Sequence, residues 1–339
     1  MPAANPSGRV RWGILGTARI AREKVIPAML KATNVEVLAI ASRDVAAARD
    51  VADAWRLPRA YGSYDGLLAD PEVDAVYVPL PNHLHVDASI RALEAGKHVL
   101  CEKPLGLNAA DAQRLVAAAA EHPELKVMEA FMYRFHPQWL HARRLVDAGA
   151  IGALVAVHSH FSYVKHDPTS IRNLPEAGGG GLLDIGTYDV SLARFLFDAE
   201  PTRVVATLDV DPDLGIDRLV AAILDFGAGR VATFTCGTQH QAYQRVHAFG
   251  GEGRLELEIP FNAPQDGPCK VWHATPAGVF ETTFDRVDQY TLQAEAFSRA
   301  VLEDAPVPTP LSDAVANARV LDAIVASARC GGWVDVPSG

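Results

Sequence analysis

The stretch Trp12-Gly13-Ile14-Leu15-Gly16-Thr17-Ala18-Arg19-Ile20-Ala21 joins an apolar strand, Val10–Leu15, to the start of a helix through a glycine turn. The G-x-G-x-x-G/A frame falls on Gly16, Ala18 and Ala21. Its first glycine permits a tight turn, and its third small residue permits close packing of helix on strand. Ala18 stands where a glycine normally lets the backbone approach a pyrophosphate. One methyl group narrows that approach without closing it. The same residues would also suit a plain strand–turn–helix junction. What favours a nucleotide is their place between the first strand and the first helix. Gly16, Thr17, Ala18, Arg19 and Ile20 are therefore the expected contacts of a dinucleotide.

Outward from this turn, strands and helices alternate. A helix is expected over Ala18–Ala32, with Pro27 inside it, then a strand over Val35–Ala41 and a helix over Asp44–Trp55. Strand Ala75–Val78, helix Val86–Ala95, strand His98–Cys101, helix Ala109–Glu121 and strand Val127–Ala130 follow. That rhythm predicts an α/β, Rossmann-type, doubly wound parallel sheet over residues 1–130. Beyond it the pattern changes. A helix over Gln138–Ala148 ends at Gly149. Long alternating segments come next: Leu154–Tyr163, Arg203–Val210, Arg218–Phe226 and Arg230–Gly237. Shorter ones are Arg245–Gly250, Gly253–Glu258 and Val279–Phe284, with turns such as Phe226-Gly-Ala-Gly229 between segments. These predict, for residues 131–339, an α+β domain with a large open antiparallel sheet. Helix Leu292–Glu303 and a helix capped by Ser312, running towards Cys330, close the chain.

The 339 residues are 49% apolar and 21% charged, with a net charge of −10 and scattered basic residues. A duplex-binding surface is not expected from that balance. Cysteines 101, 236, 269 and 330 form no C-x-x-C pair, which suits a reducing compartment and no zinc site. The opening Met-Pro-Ala-Ala-Asn-Pro-Ser-Gly lacks the basic and apolar regions of a signal peptide. No apolar run approaches the roughly 18 residues of a membrane span. The expected location is the cytoplasm.

The end of the second strand sets cofactor choice. Ser42 can donate a hydrogen bond to a 2′-phosphate, and Arg43 can pair with it bidentately. Asp44 is either a helix N-cap or a carboxylate for a ribose hydroxyl, which would suit NAD. NADP is the favoured cofactor. Pro79-Leu80-Pro81-Asn82-His83-Leu84-His85 leaves another strand at the carboxyl edge, where doubly wound folds bind ligands. His83 and His85 suggest a metal, but no nearby carboxylate or cysteine completes a site. Leu80, Asn82 and His85 are instead expected to line the cofactor or cap the next helix.

Two motifs carry the chemistry. Strand His98–Cys101 ends in Glu102-Lys103-Pro104, and Pro104 forces an extended or cis-bonded Lys103 that aims its ammonium into the cleft. Gly178–Gly181 opens a helix with Asp184 and Tyr188 at i and i+4, sharing one face. A tyrosine ordinarily titrates at about 10. A nearby ammonium lowers that and makes the phenol a usable base, the argument for pairing Tyr188 with Lys103.

These motifs resemble the glucose–fructose oxidoreductase/inositol dehydrogenase (Gfo/Idh/MocA) family. The resemblance rests on Gly16–Ala21, Pro81–His85, Glu102–Pro104, Met128–Pro137 and Gly179–Tyr188, in that order. Met128-Glu-Ala-Phe-Met-Tyr-Arg-Phe-His-Pro137 is most similar to dimeric dihydrodiol dehydrogenases and NADP-dependent D-xylose dehydrogenases. Inositol dehydrogenase-like members carry histidine at the place of Tyr188. The resemblance implies Lys103 and Tyr188 as the catalytic pair, with Asp184 holding a substrate hydroxyl. It also implies Glu102, Arg134 and Arg172 near cofactor or substrate, and a C-terminal sheet whose face makes a homodimer or a higher even oligomer. The expected activity is hydride transfer from an aldose C1 to NADP. A keto-sugar reductase, a dihydrodiol dehydrogenase and a sugar–sugar oxidoreductase use the same groups. A non-catalytic sugar-sensing regulator would be expected to lose Lys103–Pro104 or the Asp184/Tyr188 pair, and this chain retains both.

Overall fold

A computed structural model describes residues 8–337; the opening segment read above as no signal peptide falls, but for Gly8, outside the described residues. The chain forms two compact units. One holds the residues up to Gly106, Ala110–Met132 and Asp288–Ala314, and the other Leu107–Ala109, Tyr133–Val287 and the chain from Val315 on. Residues 288–314, which lie in sequence between stretches of the second unit, thus cluster with the first unit.

The first unit is built on six strands: β1 (Val10–Leu15), β2 (Val35–Ala41), β3 (Arg59–Tyr61), β4 (Ala75–Val78), β5 (His98–Cys101) and β6 (Val127–Glu129). Their order is β3-β2-β1-β4-β5-β6, and every pairing is parallel. The central strands β4 and β5 are buried throughout and apolar except for His98, as a sheet covered on both faces requires. The first crossover starts as a π-helical turn, Ala21–Val25, and continues as α1 (Ile26–Met29). Pro27 is the cause, since it has no N–H for the carbonyl four residues back. Helix α2 (Val45–Trp55) is capped by Asp44, whose carboxylate accepts from the Ala46 N–H. β3 and α3 (Tyr64–Leu68) went unforeseen, being too short to show a period. α4 (His85–Glu94) and α5 (Ala109–Glu121) complete the crossovers. The later helix Gln289–Leu302 also belongs here. Its Phe297 ring lies 5.3 Å from that of Trp12, and its Ser298 Oγ accepts the indole N–H at 3.1 Å.

In the second unit, after α6 (Pro137–Asp147), come β7 (Leu154–Val164), α7 (Thr187–Phe197), β8 (Arg203–Val210), β9 (Asp217–Asp225), β10 (Val231–Gly237), β11 (Gln239–Gly250), β12 (Arg254–Leu257), β13 (Cys269–Thr275), β14 (Gly278–Phe284) and β15 (Val334–Asp335). They form one sheet of order β14-β13-β12-β11-β7-β10-β9-β8-β15. The sheet is antiparallel as expected except at one pairing: β7 and β10 run parallel. The chain between them leaves through α7, the kind of crossover a parallel pair needs. β13 and β15 went unforeseen, and β11 begins six residues before the expected Arg245. Helix α7 is buried on nearly every side and packs on β7 and β10. The helix Leu311–Cys330 starts directly after Pro310, so Ser312 lies within its first turn and does not cap it. Asn317 of that helix donates to Thr187 Oγ1 at the head of α7, 3.0 Å away. No helix among the described residues is long and apolar enough to cross a membrane.

Two buried histidines tie this fold to pH. His98 Nδ1 accepts the Lys126 N–H at 2.9 Å, and His136 Nδ1 accepts the Gln138 N–H at 3.2 Å, capping α6. Both need a neutral ring, and burial pushes both down to about 4. Because the folded chain binds these protons more weakly than the unfolded one, their stabilisation is complete above about pH 6.5 and is lost as pH falls towards 4. Urea titrations should show stability falling across that window, by at most about 1.4 kcal/mol per pH unit for each ring. His136→Asn, which keeps an acceptor that does not titrate, should flatten part of the fall. Parallel curves for variant and wild type would rule this origin out.

Candidate active site

All six strands of the first unit are parallel, so their carboxyl ends share one edge. Gly16 leaves β1 at a φ of +116°, and its N–H donates to Ala41 O at 2.8 Å. A side chain there would be strained by that φ, and its Cβ, 3.1 Å from Leu80 Cδ2, would push Leu80 aside. The Arg22 N–H reaches Ala18 O at 3.1 Å, which starts the helix at Ala18. Thr17, Ala18 and Ile20 are half-buried around that start, while Arg19 points out and pairs with Glu23 at 3.0 Å.

At the end of β2, the Asp44 carboxylate caps α2 at 2.9 Å, and the Asp44 N–H donates to Ser42 Oγ at 3.2 Å. Of the two sequence readings of Asp44, the structure takes the cap. Arg43 is exposed and has no ion-pair partner among the described residues. The end of β2 therefore offers a cation and has its carboxylate committed.

Leu80 is buried and Asn82 half-buried at the turn that leads into α4. His85 does not line a cofactor surface with a free nitrogen. Its ring is 1% exposed, with Nδ1 2.8 Å from Pro104 O and Nε2 2.7 Å from Leu80 O. A neutral imidazole has one N–H, so it serves one of these carbonyls at a time. Burial keeps it neutral, holding its pKa at about 4. His85 thus ties the turn after β4 to the turn after β5, a role its sequence position did not reveal. Glu102 is braced from beneath, its Oε1 accepting the Tyr77 hydroxyl at 2.5 Å. Lys103 is half-buried, and the Lys103–Pro104 bond is cis. Among the described residues no three His, Cys, Asp or Glu side chains are grouped to hold a metal.

The second unit carries Asp184 and Tyr188. Their segment opens as a π-helical turn, Leu182–Gly186, before α7 begins, so the plain i, i+4 α-helical face expected for them needs correcting. Gly186 is responsible in part, because a Cβ there would meet Cys236 Sγ and Leu182 Cδ1, both at 3.0 Å. Asp184 Oδ2 accepts from the Tyr163 hydroxyl at 2.5 Å and from Arg172 Nε at 3.0 Å. Two donors on one oxygen fix the orientation of this carboxylate. The charge of Asp184 holds the Arg172 guanidinium above its ordinary value. Arg172 therefore belongs to the carboxylate cluster of the second unit. Arg134, also expected beside cofactor or substrate, contacts α7. Its Nη2 donates to Ser191 Oγ at 2.8 Å, and its guanidinium lies 5.5 Å from the Phe195 ring centre.

Tyr163 is the residue the sequence reading missed. The signal was present: Val157, Ser159 and Phe161 alternate inward along β7, and Tyr163 is the next inward position. Burial and the Asp184 carboxylate push the Tyr163 phenol up, so it stays protonated and acts as a donor. Tyr188 is 6% exposed, among the rings of Tyr133, Phe161 and Phe261 with centres 6.0, 6.0 and 5.3 Å away. The cluster thus presents a fixed carboxylate, a guanidinium and a second phenol set in an aromatic wall.

Residues 10–131 match a family model described as an oxidoreductase family with an NAD-binding Rossmann fold, and residues 139–256 match the GFO/IDH/MocA C-terminal domain. An uncharacterized oxidoreductase of Rhizobium meliloti is 47% identical, covering 96% of this chain and 99% of the relative. A D-xylose 1-dehydrogenase (NADP(+)) of Haloferax volcanii is 42% identical, again covering 96% and 99%. Among solved structures, a 3-ketoreductase of Actinomadura kijaniata in complex with NADP and TDP-benzene superposes with a TM-score of 0.87. It is 33% identical over 94% of this chain and 98% of that one.

Proposed function

Because the chain belongs to the Gfo/Idh/MocA oxidoreductase family, we propose that it oxidises an aldose at its C1 hydroxyl with NADP as hydride acceptor. The observation that carries this reading is the Asp184 carboxylate, fixed by Tyr163 and Arg172 on the segment that also bears Tyr188. The similarity to a D-xylose 1-dehydrogenase supports the substrate class.

The residues of the first unit fit NADP. Gly16 keeps the turn free of a side chain, Arg43 is an unpaired cation at the end of β2, and Asp44 is committed to its cap. Gly16 to Ile20 would hold the pyrophosphate, with Ser42 and Arg43 at the 2′-phosphate. Leu80, Asn82 and Glu102 would lie along the remainder. When bound, NADP accepts the hydride that leaves the sugar's anomeric carbon. Tyr188 takes the O1 proton as the C–H bond breaks, leaving a lactone. Lys103 is assigned, with Tyr188, to the proton transfer. Asp184 accepts a hydrogen bond from a neighbouring sugar hydroxyl and sets the face presented. Tyr163 does not compete for the proton, because its phenol is held protonated.

The same groups run in reverse would reduce a keto-sugar, a reading favoured by the likeness to the 3-ketoreductase. Absorbance at the reduced-nicotinamide band, with a panel of aldoses and NADP, separates these directions from each other and from a regulator that binds without turnover. We also propose a homodimer formed through the open face of the second sheet. Ile223, Tyr243 and Phe249 are 40%, 51% and 37% exposed on its strands, an apolar surface that suits a second copy.

Three outcomes are expected. Arg43→Ala should weaken NADP binding by about 1.5–3 kcal/mol, the worth of a charge-assisted contact, and leave NAD binding almost unchanged. Equal losses for both cofactors would contradict the assignment. Tyr188→Phe should lower turnover by about 10²–10⁴ with cofactor affinity nearly intact. Lys103→Met should be similar, and the double variant little worse than either. If Tyr188→Phe retains its turnover while Lys103→Met is inactive, the lysine is the base. Light scattering at micromolar concentration should give a dimer or a higher even oligomer, and a monomer would contradict the proposed interface.

A further inference from the structure

Gly178–Gly181 reads in sequence as a loop opening a helix, but in the structure it makes room for a carboxylate. Gly180 has a φ of +114°, and a Cβ on it would lie 2.0 Å from Asp217 Oδ1. A Cβ on Gly181 would lie 3.4 Å from Asp217 Oδ2. Asp217 is the first residue of β9, and its Oδ2 accepts the Leu182 N–H at 2.6 Å. The Gly181 N–H also favours its ionised form. These amides are the first donors of the π-helical turn, and that turn has no other side-chain cap. The Asp184 N–H reaches back to Gly180 O at 3.1 Å, so the segment is held at Asp217 on one side and leads directly into Asp184 and Tyr188 on the other.

We propose that Asp217 is a positioning residue that sets the Asp184–Tyr188 segment for catalysis through the amides of Gly181 and Leu182. The proposal rests on the reading of Tyr188 as the acid/base group. A cap that served stability alone would gain from its charge, and the charge of a capping carboxylate normally holds its pKa down. Here burial outweighs the amide donors. With the Asp184 charge adding to it, burial pushes Asp217 up to about 6. The groups that face it are Asp184 on the π-helical turn and the buried Cys236 thiol on β10. Because the folded chain binds this proton more tightly than the unfolded one, the ionised carboxylate costs stability above pH 6. The aspartate is thus kept ionised at neutral pH against the preference of its surroundings.

Asp217→Asn keeps the shape and one acceptor but turns an N–H₂ group towards the amides. It removes the buried charge and loses the alignment. With NADP and D-xylose, this variant should lose at least tenfold in kcat, with NADP affinity unchanged. Its Tm at pH 8 should equal or exceed that of wild type, and hydrogen exchange should be faster at the amides of residues 181–188. Wild-type kcat with unchanged exchange, or a fall in kcat and Tm together, would overturn the proposal. The exchange measurement does not depend on turnover, so it remains readable if Tyr188→Phe stays active and the acid/base reading fails. Asp217→Glu, which restores the carboxylate, should recover part of the lost exchange protection, and protection no better than that of Asp217→Asn would count against the proposal.

Discussion

Parallel strands cannot be joined by a tight turn. Each must be left at its carboxyl end and the next entered through a crossover. In the first unit this holds for all six strands, so the residues that follow them are gathered along one edge. Gly16 follows β1, Ser42 and Arg43 follow β2, Leu80 and Asn82 follow β4, and Glu102 and Lys103 follow β5. None of these residues is unusual alone. The strand order reverses direction between β1 and β4, the place where doubly wound sheets hold ligands. The remaining structure maintains that edge. Buried apolar strands fix its plane, and His85 ties the turn after β4 to the turn after β5.

In the second unit the arrangement depends on missing side chains. Glycine at 180 admits a carboxylate where any other residue would collide, and glycine at 186 lets the turn pass Cys236. The result is a segment with little freedom, and it carries both groups assigned to the chemistry. Charges in this unit are arranged unequally. Asp184 is stabilised by two donors, Tyr163 and Arg172, whereas Asp217 is pushed up by burial.

Much of this was legible in the sequence. Period and turn chemistry gave the parallel sheet and most of its bounds. The strands of the second sheet showed as alternation. Two kinds of information were hidden. Short elements such as β3 and α3 carry too few residues to show a period. Contacts between residues far apart in sequence, such as Tyr163 with Asp184 or His85 with Pro104, leave no local trace. The parallel β7–β10 pair was hidden for the same reason, since alternation shows that a strand exists and not which way its neighbour runs. The π-helical turn before α7, where Gly186 packs closely against Cys236, is something i, i+4 spacing does not report.

The proposed reaction moves a hydride from the anomeric carbon of an aldose to NADP. D-Xylose carrying deuterium at C1, incubated with the protein and NADP, tests it most directly. The expected result is reduced cofactor containing one deuterium, formed more slowly than from unlabelled sugar. Reduced cofactor without the label would contradict the account, as would oxidation of reduced cofactor by a keto-sugar with no aldose giving the forward reaction.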